Sequence, residues 1–405
     1  MSKDATPPPP LSRIARELPA SGIRRFFDIA AQMEDVISLG VGEPDFATPW
    51  GVREAAIHSL KQGQTTYTSN YGDLHLRQHI ARHLDEMYGV HYRGADEILI
   101  TVGVSEGMDL AMRAILDPGD EVIVPEPCYV SYKACVGLAG GVPVGIETRA
   151  QDQFRVSVAQ IEAATTPRTK AILLGYPSNP TGATMPREML QEIADYARRR
   201  NLYLISDEIY DRLTYDGPHT CVAALPGARE RTILLNGFSK AYAMTGWRIG
   251  YACAPVEVLT AMMKIHSYTI LCAPIMGQKA ALEAIKNAEP SVRDMVGQYN
   301  HRRRLIVDGL NKIGLDCHMP QGAFYAFPSI KRTGLTAEEF AERLLFEEHV
   351  AVVPGAAFGR GGESHIRCSY ATGLDKIQEA LRRMGRFVEK VAAEKRAAGR
   401  TVQAA

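Results

Sequence analysis

The run ILITV at 98–102, together with EVIVP at 121–125, KAILL at 170–174, LYLIS at 202–206, TILLN at 232–236 and RIGYAC at 248–253, decides the fold of this chain. Between these runs lie helical patterns, one apolar-striped from about Glu106 to Leu116 and another begun by Pro186 and running to about Arg200. Short β-branched runs separated by helices predict an α/β layer architecture with a mostly parallel sheet. Working outward, a long helical stretch from about Pro274 to Ile313 leads into QGAFYAFP, VAVVPG and HIRCSYA as strand candidates. The expected organisation is a Pro-rich disordered arm at 1–12, a small α/β domain from 13–45 and 312–391, a large domain at 46–311, and a frayed tail at 392–405 where the apolar stripe is lost.

A chain of 405 residues, 46% hydrophobic and 23% charged, suits a protein of two or three domains that folds without disulfides or metal. Its 46 Lys+Arg balance 46 Asp+Glu, so no overall charge draws it to nucleic acid or an anionic membrane. The seven cysteines (128, 135, 221, 253, 272, 317 and 368) are widely spaced with no C-x-x-C, which argues for reduced thiols packed as small core residues in a cytoplasmic protein. The charged, Pro-rich start has no apolar h-region of a signal peptide. The uncharged stretch Ala134 to Ile146, interrupted by Gly and Pro, is too short to span a bilayer.

In an open α/β sheet a ligand sits at the carboxyl ends of the strands. After 98–102 stands Gly103-Val104-Ser105-Glu106-Gly107, a small-residue turn opening a helix, whose free amides and positive dipole end suit a phosphate. After 170–174 comes the polar turn Tyr176-Pro177-Ser178-Asn179-Pro180-Thr181-Gly182. After 202–206 stand Asp207, Glu208 and Tyr210, and an acid at a buried strand end needs a partner or is strongly perturbed. After 232–236 come Ser239 and Lys240, then Arg248. A lysine at this edge, desolvated and beside other cations, becomes a Schiff-base nucleophile. Each has a bland structural reading; together they describe one site.

SLGVGEPDF at 38–46, YPSNPTG at 176–182, ISDEIYD at 205–211, NGFSKAYAMTGWRIGY at 236–251 and HIRCSYA at 365–371 resemble, in order and spacing, the motifs of class I pyridoxal-phosphate aminotransferases of fold type I. The similarity runs from about Arg13 to about Val391. It implies a seven-stranded sheet between helices in the large domain, pyridoxal 5'-phosphate as cofactor, and a homodimer. Lys240 matches the lysine that carries the cofactor and shuttles the substrate's α-proton. Asp207 matches the carboxylate that keeps the pyridine nitrogen protonated, and Tyr210 and Asn179 match the donors to the phenolic oxygen. Tyr129 sits where the family stacks a ring on the pyridine. The Val104-Ser105-Glu106 turn, Ser239, Arg248 and, from the neighbouring subunit, Tyr67 would hold the phosphate. Gly237 stands where some relatives have serine, which puts one phosphate hydroxyl contact in doubt. Arg367 matches the clamp on the substrate α-carboxylate, with the Gly42 backbone and Asn179 assisting.

Other signals are discounted. His75, His79 and His83 at i, i+4, i+8 read as a solvated helix face, with no H-E-x-x-H and so no metal expected. Gly40-Val41-Gly42 lacks the third glycine of a dinucleotide fingerprint, having Asp45 there. Arg198, Arg199 and Arg200 complement a helix dipole. The resemblance implies ping-pong transfer from an L-amino acid to a 2-oxo acid, with 2-oxoglutarate expected as acceptor and a broad donor range including aspartate, alanine and aromatic amino acids. Selection is expected from Ile14 or Ile23 and Phe26, the 67–71 turn of the partner, and the 266–273 segment. The rivals are a C–S β-lyase on the same fold and a non-catalytic ligand sensor.

Overall fold

The computed structural model describes residues 9–18, 29 and 33–403. Strand β1 (Ile37–Ser38) lies apart from the seven that follow it: β2 (Ile98–Thr101), β3 (Glu121–Glu126), β4 (Val142–Glu147), β5 (Thr169–Leu174), β6 (Tyr203–Asp207), β7 (Thr232–Gly237) and β8 (Gly250–Cys253). These seven form one sheet in the order β2-β8-β7-β6-β5-β3-β4. All neighbours pair in parallel except β8, which is antiparallel to both β7 and β2. The α/β architecture with a mostly parallel central sheet is therefore the one expected.

The layers follow from the side-chain alternation of the strands. Val122, Val124, Leu173 and Leu235 pack on one face with the helices Gly103–Ile115, Ser131–Leu138 and Val256–Thr269. Ile123, Ile172 and Leu204 face the other way, against the helices Val158–Ala164 and Arg187–Arg200. Each central strand is buried on both sides, which explains its continuous apolar sequence.

Five details differ from expectation. Strand β4 was not foreseen because it contains Pro143 and Gly145; it is the edge strand, where a missing ladder amide is tolerated. Strand β8 starts only at Gly250, since Arg248 adopts a left-handed conformation (φ 55°). The stretch 274–313 is two helices, Ile275–Asn287 and Glu289–Lys312, with Pro290 in the first turn of the second, where its missing amide costs nothing. The tail does not fray at 392: the helix Leu374–Gln403 continues, and Glu394 pairs with Arg343 at 3.1 Å. The histidine face is also less solvated than expected, His75 being exposed but His79 and His83 half-buried.

The chain's two ends meet in small sheets. Strand β1 pairs in parallel with β10 (Val350–Ala351), and β11 (Val353–Pro354), β12 (Ile366–Ser369) and β9 (Tyr325–Ala326) form an antiparallel trio. The Ser369 amide donates to Leu39 O at 2.6 Å, which sets the 40–42 segment beside Arg367. All seven thiols are free, Cys272 and Cys317 partly exposed and the other five buried. Among the described residues no helix is long and apolar enough to cross a membrane, and no group of side chains could hold a metal.

Gly250 binds the sheet to the turn at the helix Gly103–Ile115: a Cβ there would come within 2.6 Å of the Gly103 carbonyl carbon and the Val104 nitrogen. Gly250→Ala is expected to lower the free energy of unfolding by about 1–3 kcal/mol, read from the midpoint of a urea melt.

Candidate active site

Strands β2, β3, β5, β6 and β7 all run in one direction, so the segments after their carboxyl ends converge on one side of the sheet. A cavity of about 1400 Å³ opens there, walled among others by Ser105, Tyr129, Asn179, Asp207, Lys240 and Arg367. Segments far apart in sequence thus meet because each follows a parallel strand.

Asp207 ends β6 and is 6% exposed. Burial pushes its carboxyl up to about 6, even though Tyr132 Oη (2.8 Å) and the Ile209 amide (3.2 Å) donate to it. Lys240, two residues beyond the Phe238 that follows β7, donates from Nζ to Gly42 O at 2.7 Å. Burial lowers its ammonium to about 8; the nearby guanidinium groups of Arg367 and Arg248 push the same way, against Glu43 and Asp207. At pH 7 about a tenth of this amine is deprotonated, far more than at the ordinary lysine value, and that is the state needed to attack a carbonyl.

The turn at 103–106 forms a cradle against Arg248. Gly103 begins its helix at φ 74°, and a Cβ there would lie 2.5 Å from Arg248 Nη2. Arg248 donates to Ser105 Oγ (3.1 Å) and Thr245 O (3.0 Å). Only the backbone of Glu106 faces this cradle: its carboxylate accepts from the Val102 amide (2.5 Å) and pairs with His266 Nδ1 (2.6 Å). Ser239 is buried in the cavity wall. A Cβ at Gly237 would sit 2.9 Å from Gly250 Cα, so a serine there would force β8 away. Tyr67 is 80% exposed and does not line this chain's own cavity.

Arg367, on β12, is 3% exposed. Its Nη1 donates to Asn179 Oδ1 (2.9 Å) and its Nη2 to Gly40 O (2.5 Å), while its buried Nε has no partner. Arg367 thus takes its backbone contact from Gly40, while the Gly42 carbonyl accepts from Lys240. The residue that sequence reading missed most plainly is Tyr325, which had been read only as part of a strand. Its hydroxyl bonds the Tyr210 hydroxyl (2.8 Å), its ring lies 4.5 Å from the Arg367 guanidinium carbon, and a Cβ at Gly42 would meet its oxygen at 2.6 Å. Tyr132 was also missed, although it stands one helical turn after Tyr129 in PEPCYVSY. Of the segments expected to select side chains, Ile14 lines the cavity, the 67–71 and 266–273 segments do not, and Ile23 and Phe26 lie outside the described residues.

A cavity that gathers a lysine of lowered pKa, a buried acid and two arginines at the edge of this sheet is that of an aminotransferase. The chain belongs to the family described as aminotransferase class I and II, whose model matches residues 34–384. It is 55% identical over 380 residues to the putative aminotransferase YugH of Bacillus subtilis, covering 94% of this chain and 98% of that one. It is 44% identical to an aspartate aminotransferase of Pyrococcus abyssi over 93% of this chain and 96% of the relative. The solved aromatic aminotransferase of Pyrococcus horikoshii superposes with a TM-score of 0.87 at 42% identity, over 91% of this chain and 99% of that one.

The raised Asp207 carboxyl has a consequence for stability. Its folded pKa of about 6 lies above the ordinary 3.8, so its favourable contribution is complete below about pH 4 and lost as pH rises through 6. At pH 7 the buried charge costs about 3 kcal/mol. Asp207→Asn is therefore expected to stabilise the cofactor-free protein at pH 7, with the gain vanishing near pH 4, in paired denaturant melts.

Proposed function

We propose that this aminotransferase binds pyridoxal 5'-phosphate through Lys240 and moves an amino group from an L-amino acid to a 2-oxo acid, with 2-oxoglutarate as acceptor, by a ping-pong sequence. The observation that carries the reading is the meeting of Lys240, Arg248 and Arg367 with Asp207 in one cavity. These residues fit the cofactor: the cradle of Ser105 and Arg248 suits a phosphate, and Asp207 is a buried carboxylate in no ion pair, a place where a pyridinium would supply the cation. When bound, pyridoxal phosphate supplies a carbonyl for capturing an amine and a ring that delocalises charge from the substrate's α-carbon.

The chain's own residues then divide the work. Arg367, with Asn179 fixing one of its nitrogens, binds the α-carboxylate and orients the substrate. Lys240 takes and returns the α-proton, which its lowered pKa makes feasible near neutrality. Tyr132 holds the Asp207 carboxylate in place, and Tyr210 and Tyr129 complete the cofactor's surroundings. The turn at Val104–Glu106, Ser239 and Arg248 anchor the phosphate, and Tyr67, exposed on this chain, reaches the partner's site in a homodimer. Residues 13–45 and 312–391 form a small domain against the large one at 46–311. Free thiols and a balanced charge support a cytoplasmic setting.

Half-reactions test the activity: the purified protein loaded with pyridoxal phosphate and mixed with single amino acids, without acceptor, is expected to convert to the pyridoxamine spectrum and release the oxo acid. Pyruvate and ammonia from cysteine or cystathionine would instead make it a lyase, and no spectral change with any amino acid a binding protein. Lys240→Ala is expected to retain the cofactor non-covalently and lose turnover; near-native turnover would overturn the role of Lys240. The rate of covalent cofactor capture by the cofactor-free protein is expected to climb with pH and level off above about 8, as the lysine deprotonates.

A further inference from the structure

We propose that Lys133 and Arg360 form a second anion-recognition point in the active-site cavity, selecting amino and oxo acids whose side chains end in a carboxylate. The inference rests on the roles proposed for Lys240 and Arg367. Both cations line the same cavity as Lys240. Neither was singled out by sequence, since they stand in unrelated segments, one on the helix Ser131–Leu138 and the other in the loop between β11 and β12.

What unites them is Glu126, the last residue of β3, only 1% exposed. Its carboxylate accepts from Lys133 Nζ and from the Arg360 amide (3.3 Å), with Arg360 Nε at 3.5 Å. Two glycines make room for it: a Cβ at Gly145 would lie 2.6 Å from its Oε2, and one at Gly359 would lie 2.7 Å from its Oε1. Enclosed in this way, Glu126 anchors the two cations at the cavity wall. Lys133 and Arg360 keep 42% and 65% of their side chains exposed. Two cations against one anion leave a surplus positive charge on the cavity wall, free to pair with an incoming carboxylate.

Among the described residues Glu126 is the one acid in an ion pair with Lys133 or Arg360. Arg13 has Glu17 one helical turn away at 4.0 Å, and the Glu43 carboxylate accepts from the Thr245 hydroxyl at 3.1 Å. The place of the pair relative to the α-carboxylate clamp is set by a short stretch of chain. The Phe358 ring lies 5.0 Å from the Arg367 guanidinium carbon, its carbonyl accepts from the Cys128 amide at 2.9 Å, and Arg360 is two residues on. The wall that begins at Arg367 therefore continues to Arg360, and a substrate held by its α-carboxylate has its side chain in the same cavity.

The test compares single-turnover half-reactions of the loaded wild type, Arg360→Gln and Lys133→Gln with glutamate, aspartate and alanine, and of the aminated form with 2-oxoglutarate and pyruvate. In Arg360→Gln the apparent Kd for the acidic substrates is expected to rise about tenfold while that for alanine and pyruvate moves less than about twofold, the scale of one lost charge-assisted hydrogen bond. Lys133→Gln should show the same selectivity, and the cofactor spectrum of both variants should match wild type. Equal shifts for acidic and neutral substrates, or none in either variant, overturn the proposal while leaving the aminotransferase site intact. A wild type that turns over no amino acid overturns the site reading, and this proposal with it.

Discussion

The arrangement of this site depends on a concentration of positive charge in one cavity, where Arg367 is buried, Lys240 half-buried and Arg248 exposed. Lys240, Arg367 and Arg248 face one cavity, and the lowered lysine pKa records the combined effect of burial and the two guanidinium groups. Such a cluster is unfavourable without anions to meet it. A phosphate at the 103–106 turn and a carboxylate at Arg367 are the anions that fit, and the unpartnered Nε of Arg367 marks a donor still open. The same desolvation raises the Asp207 carboxyl, so the site holds an amine made nucleophilic and an acid awaiting a cation. Both are functional states obtained at a cost in stability.

Polar side chains around the cavity hold this arrangement. Tyr325 connects three site elements at once: it touches Tyr210, supports the Arg367 guanidinium and requires a glycine at 42, whose carbonyl in turn holds Lys240. The Glu106–His266 pair fixes the first turn of the phosphate-receptive helix from behind. Gln278, fully buried, accepts from the Asp73 amide (2.6 Å) and donates to Thr68 (3.2 Å), steadying the segment that carries Tyr67. The sheet provides the geometry, and these contacts give each functional group one orientation.

Much of this was legible in the sequence, for physical reasons. Strands buried on both faces appear as continuous apolar runs, so β2, β3, β5, β6 and β7 stood out, and the chemistry lay just after them. The edge strand β4 did not, because an edge tolerates the proline and glycine that disqualify a central strand. Arg248 reads as the first residue of a strand because its left-handed conformation leaves no sequence mark in a non-glycine residue. Tyr132, Tyr325, Lys133 and Arg360 were invisible for another reason: each acts through a partner distant in the chain, and no local pattern encodes such a contact.

The central claim is that Lys240 is the amine at which the cofactor is carried. Reducing the pyridoxal-phosphate-loaded protein with borohydride, digesting it and mapping the modified peptide by mass spectrometry tests this directly. The account predicts a single phosphopyridoxyl group on the peptide containing Lys240. A label on any other lysine, or none, would contradict it.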